Sequence, residues 1–506
     1  MSKWLQNAVF YEIYPQSFYD TNEDGIGDIN GIAEKLTYIK SLGCNAIWIN
    51  PCFESPFNDA GYDISDYYKV AKRYGTNDDI KRLFEKAHTM DMHILLDLVP
   101  CHTSVEHPWF IASMKAEKNE YSDRYIWTDT VWNELRDYNT LRGISDRDGT
   151  CVVSYFSSQP ALNYGFYEID DPKWQQPPSA EGPTKTFEEM LNIMRFWLDI
   201  GCDGFRVDMA ACLVRNDPNR VGTIKVWQKA TSTIKKEYPN CALIAEWGEP
   251  ENSLKSGFDM DFFLHFGTTH YMDLFRTDNP YFAGCGDASR FIKNYKKLLK
   301  DTKGKGLMCM PSGNHDMVRM SDFLNTEQQK IAFAFILTLP GAPFIYYGDE
   351  IGMKYQNLPS KEGGYFRTGA RTPMQWDSTE NAGFSKGASE NLYLPIDSDD
   401  NRSTVEKAIS NKNSLLNTIK ALIDLRQNNK ALQSYGKIEF IKEGYPLIYR
   451  RKYEDQEITV IINAKDQPVT VKAKGSILLT IGGNTKLEKG KCTLDGTTAV
   501  ILNARF

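Results

Sequence analysis

Three acidic residues each follow a short apolar run of the kind that predicts a buried strand. They end the segments Gly204-Phe-Arg-Val-Asp208, Leu243-Ile-Ala-Glu246 and Gly313-Asn-His-Asp316. A helix N-cap would explain any one of them, but only seven histidines exist in the chain, and His102 and His315 stand at strand ends of the same kind. Neighbouring carboxylates repel one another unless a cation or a substrate lies between them. The pattern therefore indicates a catalytic or binding site.

Two of these acids suit different protonation states. Arg206 and Asp208 lie at i and i+2 on one predicted strand, so their side chains share a face. A fixed guanidinium there is expected to lower the pKa of Asp208 and keep it an ionised nucleophile. Glu246 has no basic residue at the matching offset, which predicts a proton donor. One ionised and one protonated carboxyl are the usual pair for cleaving a glycosidic bond.

A second cluster of oxygen donors lies near the start of the chain and predicts a cation. Five donors fall in EF-hand order at loop positions 1, 3, 5, 7 and 9, with Gly25 at position 6: Asp20, Asn22, Asp24, the Ile26 carbonyl and Asp28. Position 12 is Gly31 rather than the bidentate glutamate. We expect a structural Ca²⁺ here; the alternative is a solvated acidic turn.

The elements that position these residues alternate between strand and helix. Apolar runs separated by amphipathic stretches predict eight parallel strands, covered on both faces, and hence an α/β fold, a (β/α)₈ barrel. The predicted strands are 8–14, 45–50, 93–99, 204–207, 242–245, 260–263, 306–310 and 343–347, and the predicted helices are 33–42, 79–90, 187–200, 223–236, 288–299 and 327–337.

The domain limits follow from where this alternation stops. Residues 1–102 and 166–425 are predicted to form the barrel, and 103–165, polar and aromatic without a clear period, an insertion after strand three. Residues 426–506 carry short β-rich runs between Gly, Asp and Asn, which predict a C-terminal antiparallel β-sandwich.

Composition excludes several classes of partner. Of 506 residues, 41% are apolar and 25% charged, and the net charge is −7, so the protein is globular and nucleic acid is not an expected partner. No apolar stretch approaches membrane-spanning length, and no signal peptide precedes the first strand, so we expect a cytoplasmic protein without a membrane partner. Ten scattered cysteines predict free thiols. For the pair of carboxyls described above, a small oligosaccharide is the expected substrate; the protein is expected to be a monomer.

At this point the chain resembles the α-amylase superfamily, glycoside hydrolase family thirteen, and most closely its α-glucosidase and oligo-1,6-glucosidase branch. The matching segments run in the family's order from residue 8 to about 377: Gly61-Tyr-Asp-Ile-Ser-Asp-Tyr67, Asp97-Leu-Val-Pro-Cys-His102, Gln159-Pro-Ala-Leu-Asn163, Gly204-Phe-Arg-Val-Asp208, Ala245-Glu246, Asn314-His-Asp316 and Arg371-Thr-Pro-Met-Gln-Trp-Asp377.

The resemblance implies a role for each matched residue. Asp208 would be the nucleophile of a retaining mechanism, Glu246 the acid/base, and Asp316 the acid that holds sugar hydroxyls in the transition state. Arg371 would pair with Asp63 and close the pocket, as in exo-acting members. The glucose site would be lined by Tyr62, Asp63, His102, Arg206 and His315. A Ca²⁺ in the first loop is implied as well.

Departures from the family pattern leave the linkage open. Cys101 stands where the family usually has Asn, and Met209, which follows the nucleophile, matches neither the α-1,6 nor the α-1,4 pattern. We expect a retaining exo-acting α-glucosidase. The alternatives are a glucosyl transferase or isomerase of the trehalose-synthase or sucrose-isomerising type, and a non-catalytic binding homologue. Three tryptophans of the insertion are candidate sugar platforms: Trp109, Trp127 and Trp132.

Overall fold

A computed structural model describes residues 2–503 except 134, 136, 265–268 and 364–365. The expected outer domain limits, Met1 and Phe506, lie outside this set. The described cysteines are all free thiols, as expected. Among the described helices, none is both long and apolar enough to cross a membrane.

Eight parallel strands close into a barrel. They are β1 (Phe10–Ile13), β2 (Ala46–Ile49), β3 (His93–Leu98), β4 (Gly204–Val207), β5 (Ala242–Ala245), β6 (Met260–Phe262), β7 (Leu307–Pro311) and β8 (Ala342–Tyr346). Closure occurs where β1 pairs with β8, with Phe10 opposite Phe344. Their stacked rings fill the barrel interior together with Trp48 and Met260. The predicted (β/α)₈ barrel is confirmed.

Ten α-helices are described. They are α1 (Ile29–Leu42), α2 (Asn77–Thr89), α3 (Pro108–Ser113), α4 (Glu181–Ile200), α5 (Val221–Glu237), α6 (Pro250–Lys255), α7 (Ser289–Thr302), α8 (Thr326–Thr338), α9 (Val405–Ser410) and α10 (Leu415–Gln427). Helix α4 begins six residues before the predicted start, because its first turn carries Pro183 and lacks the apolar period. Helices α3, α6, α9 and α10 were not predicted. Ser414 caps α10, whose apolar side packs on the barrel.

The insertion leaves the barrel after β3. It contains α3 and a ribbon of two short strands, Thr140–Arg142 and Thr150–Val152. His102 and Ala161 form an antiparallel bridge at its base. A second ribbon, Phe53–Glu54 with Asp66–Val70, follows β2. Both therefore extend from the carboxyl ends of barrel strands, where barrel enzymes carry their sites.

The C-terminal domain is antiparallel, as predicted. Its strands are β9 (Lys437–Lys442), β10 (Leu447–Tyr453), β11 (Gln456–Asn463), β12 (Val469–Lys472), β13 (Ser476–Gly482), β14 (Thr485–Glu488), β15 (Lys491–Leu494) and β16 (Thr498–Asn503). One sheet has the order β9-β10-β11-β16-β13 and the other β12-β15-β14. Ile448, Ile461 and Val500 pack between the sheets with Cys492 and Leu494. The opposite face of the larger sheet meets α8.

Candidate active site

The three acids found in the sequence surround one cavity at the carboxyl ends of the strands. Arg206, buried on β4, contacts two of its carboxylate neighbours through Nη1, at 2.9 Å from Asp97 Oδ1 and 2.9 Å from Asp208 Oδ1. Its Nη2 lies 2.7 Å from Glu246 Oε1. Strand register produces this meeting, because Arg206 pairs with Ile244 and the Glu246 amide donates to the Val207 carbonyl at 2.9 Å. One guanidinium thus serves three carboxylates.

The turn after Asp208 also contributes to this cluster. Met209 takes a left-handed backbone conformation with φ 45°, which is uncommon for a residue with a side chain. This conformation directs its amide to Glu246 Oε2 at 3.0 Å. The Cys101 thiol donates to the Met209 carbonyl at 3.2 Å. The cysteine found in place of the family's asparagine therefore faces the backbone of this turn.

One expectation about protonation was wrong, and the premise of a second does not hold. Glu246 does have a basic partner, Arg206, which reaches it from the neighbouring strand. The pKa of Asp208 is raised rather than lowered: burial raises it most, the charge of Glu246 adds to this, and Arg206 only opposes them. Burial likewise raises the pKa of Asp97 to about 6 against the opposing pull of Arg206. The cluster has more carboxylates than cations, so it retains protons and titrates as a unit.

The other end of the cavity is closed by two arginines around Asp316. Arg371 Nη2 lies 2.7 Å and Arg367 Nη1 3.0 Å from Asp316 Oδ1. Arg367 also pairs with Asp59, whose second oxygen accepts from Gln159 Nε2 at 2.6 Å. Burial alone would raise the pKa of Asp316, but His315 and the two arginines outweigh it and hold that pKa well below its usual range.

The expected pair between Arg371 and Asp63 is not formed. Asp63 is fully buried and holds its own turn, accepting from Ser55 Oγ at 3.1 Å and from the amides of Asn58 and Asp59 at 3.0 and 2.9 Å. Arg371 instead contacts Asp316 and the His315 carbonyl. Because both oxygens of Asp63 accept hydrogen bonds within its own turn, Asp59 is the acid that pairs with an arginine across the cavity.

Tyr62 and two histidines complete the buried wall. The Tyr62 hydroxyl lies 3.1 Å from Asp97 Oδ2 and 2.9 Å from His315 Nε2. His102 Nε2 lies 3.2 Å from the Tyr62 carbonyl. Burial lowers the pKa of His102 to about 3, so this ring is neutral at ordinary pH.

The cavity has a volume of about 320 Å³ and a mixed lining. Its polar lining is Asp59, Tyr62, His102, Gln159, Asp208, Glu246, Asp316 and Arg367, and its mouth carries Tyr155, Phe156 and Met209. None of the three candidate tryptophans is in this lining. Trp109 packs against Tyr67 of the second ribbon, Trp127 packs against Phe110 inside the insertion, and Trp132 is 82% exposed.

Sequence reasoning missed Asp59, Arg367 and Tyr155. Asp59 lies four residues before Asp63 and just outside the matched segment Gly61-Tyr67, so its position alone could have marked it. Arg367 and Tyr155 lie in stretches without periodic signal, and nothing local distinguishes them from surface residues.

In the expected calcium loop, the carboxylate oxygens of Asp20 and Asp28 accept hydrogen bonds from amides of the same loop. Asp20 accepts from the amides of Asn22, Glu23 and Gly25, and Asp28 caps α1 and accepts from Thr21. The all-oxygen donor set suits Ca²⁺. However, the described residues contain no group of three or more His, Cys, Asp or Glu side chains placed to hold a metal ion. The calcium site stays a prediction.

Comparisons with known proteins agree with this geometry. The model of the α-amylase catalytic domain matches residues 12–435. An oligo-1,6-glucosidase of Parageobacillus thermoglucosidasius is 32% identical over 536 residues, covering 92% of this chain and 91% of that protein. The trehalose synthase/amylase TreS of Mycolicibacterium smegmatis is 32% identical over 484 residues, covering 85% and 77%. The crystal structure of the trehalulose synthase MutB from Pseudomonas mesoacidophila MX-45 superposes with a TM-score of 0.84 at 25% identity, covering 100% of both chains.

Proposed function

Since the chain belongs to the α-amylase family, we propose that it is a retaining, exo-acting α-glucosidase that releases glucose from short α-glucosides. The family and its relatives support the coarser statement that it is a glycoside hydrolase family enzyme, a glucosidase or a glucosyl transferase. The finer proposal rests on the shape and charge of the cavity.

The closed end of the cavity carries this proposal. Asp59, Arg367, Asp316 and Arg371 form a continuous line of ion pairs, and Gln159 extends it to the base of the insertion. A sugar chain could pass this line only by breaking buried ion pairs, which is costly because each would leave an uncompensated charge. A single glucose unit therefore fits beyond the bond to be cut.

The first chemical step uses Asp208 and Glu246. The step starts from the form of the cluster in which its retained proton lies on Glu246 and Asp208 is ionised. A carboxylate oxygen of Asp208 then attacks the anomeric carbon while Glu246 gives its proton to the glycosidic oxygen, so the carbon–oxygen bond breaks and the aglycone leaves as an alcohol. Arg206 holds both carboxyl groups. It also limits the repulsion between them before the substrate enters.

The second step releases glucose with retained configuration. Glu246, now a carboxylate, takes a proton from water, and the water oxygen attacks the anomeric carbon from the face the aglycone left. Asp208 departs as a carboxylate. Asp316 stays ionised throughout because two arginines flank it, so it is available to accept hydrogen bonds from ring hydroxyls.

A transferase or isomerase uses the same first step, and one observation favours keeping it as the second candidate. The mouth of the cavity is lined by Tyr155, Phe156 and Met209, which give the leaving sugar an aromatic and apolar surface. A sugar retained there could attack the glucosyl intermediate in place of water. Relatives with both kinds of name are similar over most of this chain.

One set of assays separates the candidates. The enzyme is incubated in parallel with maltose, isomaltose, trehalose and sucrose, and products are followed by chromatography from the first minute. Free glucose from a disaccharide, without an isomeric disaccharide, supports the glucosidase. An isomeric disaccharide as main product supports the transferase. With a long maltooligosaccharide, glucose should be the first product; early internal fragments would contradict exo action.

A further inference from the structure

The turn after the nucleophile carries a thiol contact that the proposed mechanism does not use. Cys101 Sγ lies 3.2 Å from the Met209 carbonyl oxygen. A carbonyl oxygen can only accept, and burial raises the pKa of the Cys101 thiol, so the thiol keeps its proton and donates the hydrogen bond. The backbone of Cys101 is fixed in turn, because its carbonyl accepts from the Leu162 amide at 3.0 Å. The contact therefore ties the turn to the segment that follows β3.

The other side of Met209 faces the proposed proton donor. The Met209 amide donates to Glu246 Oε2 at 3.0 Å, while Arg206 Nη2 lies 2.7 Å from Oε1. An amide N–H can only donate, so the direction of this contact is fixed. Each carboxyl oxygen has two lone pairs, so a proton on Glu246 is compatible with both contacts. Met209 therefore connects Cys101 to the group that protonates the leaving oxygen.

One peptide unit helps to determine where the Met209 amide points. The Met209 carbonyl accepts from Cys101, and the Ala210 amide of the same planar unit donates to the Glu246 carbonyl at 3.1 Å. Met209 has φ 45° and ψ 41°, a conformation that persists in a residue with a side chain only where surrounding contacts hold it. The Cys212 amide also donates to the Met209 carbonyl, but it belongs to the same turn and does not anchor that turn to the barrel. Without the thiol, relaxation of Met209 would turn its amide away from the Glu246 carboxyl.

We infer that Cys101 is a positioning residue for the proton donor: its thiol holds the turn at Met209, so that the Met209 amide keeps the Glu246 carboxyl in place for proton donation. The inference deepens the proposed function and rests on it for the role of Glu246. Cys101 is not among the residues that line the cavity, so it acts through the turn and not on the sugar. Asp208 depends less on this contact, because its own amide donates to the Leu98 carbonyl at 2.8 Å.

The test compares Cys101→Ala with Cys101→Ser, because the two variants differ in one hydroxyl donor. Cys44→Ala is the matched control. Cys44 is also a fully buried thiol, but it precedes β2 at the amino ends of the barrel strands, whereas the cavity lies at their carboxyl ends. Should Cys101→Ala not fold, Cys101→Val and Cys101→Thr replace the pair, because they have the same shape and differ in the same donor.

The first measurement is the Met209 amide signal in the free protein. Protein labelled with ¹⁵N-methionine gives methionine amide signals, and that of Met209 is identified by its loss in Met209→Leu. A hydrogen bond to a carboxyl group moves an amide proton to lower field, so Cys101→Ala should move this signal to higher field. Cys101→Ser should leave it nearer the wild-type position, and Cys44→Ala should leave it unchanged.

The second measurement is kcat/KM for the best disaccharide and for an aryl α-glucoside. A sugar leaving group needs the proton of Glu246, whereas an aryl group needs little protonation. Cys101→Ala should lower kcat/KM for the disaccharide by about 10- to 100-fold, as loss of a residue that orients a reacting group does, and for the aryl glucoside by less than about threefold. Cys101→Ser should recover most of this loss. Cys44→Ala should lower Tm and leave the ratio of the two values unchanged.

An unchanged Met209 signal in Cys101→Ala would overturn the inference whatever the activity. An equal loss of kcat/KM on both substrates would also overturn it, because a purely structural role produces that result, and so would no loss on either. Should the wild-type enzyme cleave no α-glucoside, the proposed function is wrong. The Met209 signal is recorded without substrate, so it still decides whether Cys101 holds this turn against Glu246.

Discussion

The two ends of the cavity are built from opposite kinds of residue. The closed end is a line of ion pairs in which Asp316 contacts Arg367 and Arg371, and Asp59 continues the line. The mouth consists of Tyr155, Phe156 and Met209, and Tyr155 is 50% exposed. Buried ion pairs tolerate little displacement because an unpaired charge is costly. Aromatic and thioether groups accept varied shapes at low cost.

This difference suggests that the closed end binds the glucosyl group and that the mouth selects the aglycone or acceptor. On the proposed function, the rigid charged end would bind only one sugar unit in one orientation, which suits the glucosyl group that all candidate activities share. The adaptable mouth contacts the part that differs between them, the aglycone or acceptor. We therefore expect changes at the closed end to reduce every activity, and changes at the mouth to alter the ratio between activities.

The largest effect is expected between the two ends, at the reacting carboxyls. Asp208→Ala should reduce turnover by about 10⁴- to 10⁶-fold for every substrate, as loss of a nucleophile does. Glu246→Ala should impair maltose cleavage far more than cleavage of an aryl glucoside, because a good leaving group needs little protonation. The measurement is initial rates on both substrates.

Azide sharpens this test. It attacks the glucosyl intermediate without a general base, so it should partly restore turnover in Glu246→Ala and give α-glucosyl azide, identified by NMR. Asp208→Ala should show no such effect with the same substrate. β-Glucosyl azide from Glu246→Ala would mean direct displacement and would exclude the covalent intermediate on Asp208.

At the closed end, Arg367→Met should lower kcat/KM for all disaccharides by about 10²- to 10³-fold, because it leaves Asp59 without its ion pair and weakens the hold on Asp316. The control is Arg82→Met, because the Arg82 side chain is 62% exposed where it pairs with Asp79, and ion pairs with an exposed member contribute little. Equal effects of the two changes, measured by steady-state kinetics, would contradict the closed-end assignment.

At the mouth, Tyr155→Ala should raise KM for disaccharides by about 2- to 10-fold, as expected for losing one aromatic contact. It should also change the proportion of free glucose to transfer product. Trp132→Ala is the matched control, since Trp132 belongs to the same insertion, is 82% exposed and is not in the cavity lining. A uniform loss on all substrates with an unchanged product ratio would show that the mouth does not choose the acceptor.

Two buried acids near the cavity should respond differently to pH. Asp316 is held ionised, whereas Asp261, which accepts from the amides of Trp247 and Gly248 directly after Glu246, has its pKa raised to about 7 by burial. The folded state then binds a proton that the unfolded chain has lost, so stability present below about pH 4 is lost as pH rises through 7.

Over that range the loss from Asp261 amounts to about 4 kcal/mol at most, at 1.36 kcal/mol per pKa unit. Asp261→Asn should flatten the fall of Tm between pH 4.5 and 8, measured by calorimetry. The exposed Asp287→Asn serves as control and should leave the slope nearly unchanged. An identical slope in Asp261→Asn and wild type would contradict the assignment.

The smallest effect concerns the first loop. If residues 20–28 bind Ca²⁺, adding the ion should raise Tm. At one hundred times its Kd, the free energy of unfolding should rise by up to about 2.7 kcal/mol. Turnover at low temperature should not change. Asp24→Asn should weaken the response, whereas Asp78→Asn, at the start of α2, should not. Loss of activity on chelation with an unchanged melting curve would contradict a structural role.

The sequence by itself determined the barrel and the positions of its acids. Asp208 and Glu246 each follow a short predicted strand, and in a parallel barrel such strand ends must meet at one rim. Both signals are local and need no knowledge of neighbours. Helices α9 and α10 were not found because no further barrel strand follows them to mark a repeat of the alternation.

Only the tertiary structure decided which charges meet. The spacing along one strand predicted an interaction of Arg206 with Asp208 alone. The register of β4 with β5 brings Glu246 to the same guanidinium. Asp63 and Asp59 are both aspartates, and nothing in the sequence tells which of them pairs with an arginine. In the folded turn Asp63 accepts from backbone amides, whereas Asp59 pairs with Arg367. Ion pairs form across space between residues far apart in the chain, so their partners are fixed by packing rather than by spacing.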